Sequence, residues 1–211
     1  MNLKTGLYVS HSRLPLLGQL AALAAMLLTV SPLPAQFMAL PVNLTYLARR
    51  AEIIVQGRVT EVRYESLPGY ANIPTVEVTL NVESMVRGPA GSTYTFREIL
   101  LGPQAKTGKQ GYVVGQRLFL FLPAPSRYGL SSPIGIEQGR FRIAREAGGS
   151  ETVANELGNA GLFNNVEQDA SKAGTQLTTP QLRIATVQRG PVALDDFVSL
   201  VRRLTSLPRI Q

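Results

Sequence analysis

The chain has 211 residues, 21 basic against 14 acidic side chains, a net charge of +7, a single histidine and no cysteine. Without thiols it forms no disulfide and offers no thiolate nucleophile or metal ligand, so an exported form must be held together by its core alone. The histidine, His11, precedes an N-terminal apolar run, and this leaves the rest of the chain without imidazole for general-base or zinc chemistry.

Lys4, His11 and Arg13 stand before an apolar run from Leu14 to Val30, followed by SPLPA. This order predicts a secretory signal peptide over residues 1–35, cleaved after Ala35, with a periplasmic or secreted product. The alternative is an uncleaved N-terminal anchor. The run would make only about 25 Å of helix, short of the ~30 Å hydrocarbon core, so no membrane span is expected after cleavage. The remaining chain carries about +5, mostly as scattered arginine, which reads first as a solvated surface and second as attraction to anionic polymers or head groups.

Residues 36–154 read as a β domain. Asn43 or Thr45 can cap a short entry helix bearing Leu44, Leu47 and Ala51. In the strand that follows, Ile53, Val55, Gly57 and Val59 share one parity, which then moves to Val62 and Tyr64, so a bulge is expected near Thr60 and Glu61. Val76, Val78, Leu80 and Val82 alternate with polar residues in a half-buried second strand. Tyr94 and Phe96 face inward on a third strand, with Thr95 and Arg97 outward.

A loop from Gly102 to Gly111 leads to RLFLFL, where Leu118, Leu120 and Leu122 oppose Phe119 and Phe121; such a strand must be covered on both sides. Ile134 and Ile136 are expected to start a short strand. GRFRI then places Phe141 and Ile143 inward and Arg140 and Arg142 outward, with a final pairing around Glu151 to Ala154. Residues 155–190, rich in Asn, Gln, Gly and Thr, read as a long flexible excursion anchored by Leu162 and Phe163. In residues 191–211, Leu194, Phe197, Val198, Val201 and Leu204 form the stripe of a C-terminal helix suited to cover the phenylalanines.

The segments AEIIVQGRVTEV, VEVTLNVESMVRGP, VVGQRLFLFL and GIEQGRFRI resemble a group of exported bacterial proteins of unassigned function. More distantly, the chain resembles the OB-type barrel of netrin and tissue-metalloprotease-inhibitor modules. The resemblance spans roughly Leu44 to Ile143 plus the terminal helix. It implies a mostly β fold, a small five- to six-stranded OB-like barrel with a short N-terminal helix and a C-terminal capping helix. The inhibitor family chelates a target metal through a disulfide-bonded N-terminal cysteine, which this chain lacks, so that mechanism does not carry over.

Chemistry is constrained mainly by exclusion. GLSSPIG is not a G-x-S-x-G elbow and has no histidine partner. Lys106, Lys109 and Lys172 follow no serine at S-x-x-K spacing, and Asp169, Asp195 and Asp196 form no calcium loop. Glu77 and Glu83 are the best-placed carboxylates for acid/base hydrolysis, but a wet strand face keeps them ordinary. The expectation is therefore a non-enzymatic binding module without cofactor or metal, acting on an exported protein partner, an exported hydrolase among the candidates. The alternative is an anionic glycan or cell-surface polymer held on an arginine-bearing strand face. Its candidate ligand-binding residues are Arg97, Tyr128, Arg140 and Arg142. Nucleic acid is not an expected partner.

Overall fold

The computed structural model describes residues 41–101 and 111–208; the predicted signal peptide and most of the Gly102–Gly111 loop lie outside the described residues. Helix α1 (Leu44–Arg50) starts at Asn43, whose side-chain oxygen accepts from the Tyr46 amide at 2.8 Å, while Thr45 lies inside the helix and is buried. Seven strands follow, β1 (Ile53–Leu67), β2 (Tyr70–Arg87), β3 (Thr93–Ile99), β4 (Arg117–Leu122), β5 (Arg140–Arg145), β6 (Glu151–Asn155) and β7 (Val192–Ala193). Between β6 and β7 stand α2 (Val166–Lys172) and α3 (Thr179–Ala185), and α4 (Leu194–Thr205) closes the described chain.

The fold is mostly β, with one antiparallel sheet in the order β3-β2-β1-β4-β5-β6-β7. It is an open sheet of seven strands, and the closed five- or six-stranded barrel expected from sequence gives way to it. A strap after β4 reaches the outer edge strand, where Leu130 and Arg97 form one parallel bridge and the Ser131 amide donates to the Arg97 carbonyl at 2.7 Å.

The change of parity in β1 is a bulge: Val59 pairs with Leu80 and Glu61 with Thr79, leaving Thr60 without an opposite residue. A second irregularity falls at Gln56/Gly57, where a Cβ on residue 57 would stand 2.6 Å from the Asn81 carbonyl oxygen, so only glycine lets β1 and β2 approach. Ile134 and Ile136 do not begin a strand. They lie in a turn that returns the chain to β5, with Ile134 bonded to the Phe121 carbonyl at 3.0 Å and Ile136 exposed at positive φ.

Alternation in β4 divides the core. Leu118, Leu120 and Leu122 pack with Val55, Val59, Val76, Val78, Leu80 and Phe96 inside the curl of β1 to β4. Phe119 and Phe121 join Ile54, Phe141 and the helices on the other side. Phe197 of α4 is the central covering residue, its ring 5.3 Å from Phe119 and 5.1 Å from Phe141. Asp195 and Asp196 in the first turn of α4 and Arg202 and Arg203 in the last suit the helix macrodipole.

Residues 155–190, read from sequence as an excursion, carry α2 and α3. Polar composition conceals their anchors: besides Leu162 and Phe163, the small or isolated Val166, Ala170 and Ile184 enter the helix-side core. Gln181 donates to Ser199 of α4, and Asn43 donates to Asp169 of α2, so side-chain amides join helices distant in sequence. Arg87 at the end of β2 is a further tie. Its guanidinium donates to the Ala48, Ala51 and Thr205 carbonyls at 2.8, 2.7 and 2.9 Å, supplying partners for carbonyls that the C-terminal ends of α1 and α4 leave free.

Replacing Phe197 with alanine removes the ring that packs on Phe119 and Phe121 of β4 and on Phe141 of β5, and uncovers the helix-side face of β4. We expect Phe197→Ala to lower unfolding free energy by about 3–5 kcal/mol, measured as a shift of the urea midpoint with an unchanged slope.

Candidate functional site

The four residues singled out from sequence do not converge. Arg97 lies on the face of β3 opposite Phe96, in a cross-strand row with Glu77 and Arg63. Its guanidinium contacts Glu77 at 2.5 Å and Glu65 at 2.6 Å and donates to Thr75 at 3.1 Å, and little of it is exposed. Partial burial would raise the Glu77 carboxyl, but hydrogen bonds and charge from Arg63 and Arg97 outweigh it and hold Glu77 below the usual carboxylate range.

Tyr128 sits on the strap, half exposed, edge-to-face with Tyr70 at the start of β2, with ring centroids 5.6 Å apart. Arg127 lies over the Tyr128 ring at 4.7 Å. The strap thus brings Tyr128 and Arg127 against Tyr70 of the β1–β2 hairpin.

Arg140 corrects the outward placement read from strand alternation. It does oppose Phe141 across β5, but that side is covered by the turn around Tyr112, and Arg140 is 5% exposed. Its guanidinium stacks over the Tyr112 ring at 4.6 Å and pairs with Glu137 at 2.5 Å. Tyr112 in turn packs on Phe96 and donates its hydroxyl to Glu98 at 2.7 Å. Burial, followed by the charge of Glu98, pushes the Tyr112 phenol well above its ordinary range, so the proton stays on the phenol and the hydrogen bond to Glu98 persists. Arg142, two residues on, is exposed and pairs with Glu156 at 2.6 Å, a carboxylate that also lies 3.7 Å from Arg140.

A cleft of about 660 Å³ beside Arg142 gathers three further arginines that the sequence did not single out, Arg58, Arg117 and Arg145. Arg58, Arg117, Arg142 and Arg145 line it together with Glu83 and Glu151. Arg117 is clamped between the two carboxylates, at 2.7 Å from Glu83 and 2.5 Å from Glu151. Hydrogen bonding from Arg117 lowers the Glu83 carboxyl despite partial burial, and the same contacts raise Arg117 further above its already high range. The available signal was the register: once β1 is paired with β4, Arg58 and Arg117 fall directly opposite each other.

Among the described residues no group of three or more His, Cys, Asp or Glu is placed to hold a metal, and no helix is long and apolar enough to cross a membrane. Comparison with protein families, with curated proteins and with solved structures finds no match.

Burial separates the two arginines of β5. Arg140→Ala is expected to cost about 3 kcal/mol by emptying the buried guanidinium position over Tyr112 and leaving half-buried Glu137 without its counter-charge, whereas Arg142→Ala should change stability by under ~1 kcal/mol. Urea denaturation of the two single variants checks the difference.

Proposed function

We propose that the protein is an exported, non-enzymatic binding module whose protein partner docks on the strap and hairpin surface around Tyr70, Arg127 and Tyr128. The observation that carries this proposal is the half-exposed tyrosine pair with an arginine stacked on it. Tyrosine and arginine are the side chains that most often anchor protein interfaces, because each buries a large, stiff surface while keeping a polar group available for the rim. Tyr70 and Tyr128 are already held against each other, so less rotamer freedom is lost when a partner covers them. The resemblance to inhibitor-type barrels supports an exported hydrolase as the class of partner, engaged by surface contact in the absence of the chelating cysteine.

The alternative, an anionic polymer spread over Arg97, Arg140 and Arg142, draws less support. Arg97 and Arg140 already spend their guanidiniums on carboxylates, and Arg140 is buried. The two proposals respond differently to salt: counter-charge binding weakens steeply with ionic strength, whereas a packed aromatic interface does not.

The test is retention of a stoichiometric protein from the exported fraction of the source cells on the immobilised protein, washed at about 0.5 M salt, where the screening length falls to a few ångströms. Retention is expected to survive the wash and to fall at least about tenfold for Tyr70→Ala with Tyr128→Ala, the scale of one lost interface anchor. Recovery of only salt-labile polymer would overturn it.

A further inference from the structure

On its helix-facing side the sheet extends past the first turn of α4 as a strip that none of the described helices covers. Arg58 and Arg117 are direct cross-strand partners there, two like charges side by side, an arrangement that is unfavourable unless carboxylates offset it. Glu83 and Glu151 offset chiefly Arg117, which donates to Glu83 through Nε at 2.9 Å and Nη2 at 2.7 Å and to Glu151 through Nη1 at 2.5 Å. Arg58 donates to the Gly115 carbonyl at 2.9 Å, stands 3.9 Å from Glu83, and keeps 51% of its side chain exposed. Arg145 lies beyond Ile143 on the same side of β5, exposed and without an ion pair to any described residue. Two guanidiniums with unspent donors therefore flank a third that is locked in place.

We propose that Arg58 and Arg145 form a carboxylate-binding site in this cleft, and that its ligand is a uronate unit within an otherwise neutral glycan. A guanidinium fork matches a carboxylate in two parallel hydrogen bonds. The cleft, at about 660 Å³, lies within the range of small-molecule sites. Its flanks select against a densely charged polyanion. On one side a trough sharing Glu151 is lined by Gln56, Ser84, Ser199 and Asp195. Around the strand ends, on the opposite face of β5 and β6, a trough sharing Arg142 and Ala144 is lined by Thr152, Glu146 and Glu156. Hydroxyls, an amide and carboxylates are partners for neutral sugar hydroxyls, whereas the same carboxylates repel a second and third anionic group. The cleft lies about 30 Å along β1 from the end of the hairpin, at ~3.3 Å per residue, so it is separate from the tyrosine pair.

Titration of the full chain with glucuronic acid, followed by calorimetry and by amide chemical shifts, tests the site, with glucose and acetate as controls. Glucuronate is expected to saturate, and glucose and acetate to bind at least about tenfold more weakly, since each lacks one half of the recognition. Arg145→Gln should weaken glucuronate about tenfold, the scale of one charge-assisted hydrogen-bonded contact. Arg58→Gln with Arg145→Gln should remove saturable binding while the melting temperature stays close to that of the parent. If the double variant fails to fold, the Arg145→Gln result decides, because that exposed side chain, opposite Glu151 across β5 and β6, forms no ion pair with any described residue. Absence of saturable glucuronate binding, equal binding of acetate and glucuronate, or undiminished binding by Arg145→Gln would each overturn the proposal.

Discussion

Strand β4 is buried on both faces, and each face belongs to a different part of the molecule. Five consecutive residues, Leu118 to Leu122, are fully covered. The leucines close the inside of the curl formed with β1, β2 and β3, and the phenylalanines hold the four helices through Phe197 and its neighbours. A strand with one wet face could support either the curled sheet or the helical layer. With both faces apolar, withdrawal of β4 would expose two cores at once, which makes the two layers mutually dependent.

The arginines complete what the apolar residues leave open. Arg87 takes carbonyls at the ends of two helices, Arg97 ties β3 to β2 and β1, Arg117 joins β2 to β6 across β4, and Arg140 fills the mouth of the curl over Tyr112. A planar group with five donors suits these positions because it can satisfy several acceptors from different elements at once. The cationic excess of the chain is therefore unevenly available: much of it is committed to cross-strand and helix-end contacts, while Arg58 and Arg145 keep exposed donors beside Arg117.

Local physics made some of this legible in the sequence. The alternation of RLFLFL announces two-sided burial, and the parity break after Val59 locates the bulge at Thr60, because both follow from the two-residue period of a strand. The amphipathic stripe around Phe197 is similarly local. Strand alternation placed Arg140 on the side opposite Phe141 but could not reveal that Tyr112, contributed by a turn elsewhere, covers it. The Arg58–Arg117 pair depends on the register between β1 and β4, and helices α2 and α3 are short, polar and stabilised by contacts with α1 and α4, so their own periodicity is weak. The strap that bonds to β3 likewise carries Tyr128 to Tyr70, a meeting of two segments with no mutual sequence signal.

Native-state hydrogen exchange tests the dependence of both layers on β4 most directly. The amides of Leu118 to Leu122 and of their partners Ile53 to Arg58 are expected to exchange slowest, with an opening free energy equal to that of global unfolding. Exchange of the β4 amides at markedly lower free energy, with the helices or the β1–β2 pair still protected, would show that the layers are stable without it and would contradict the account.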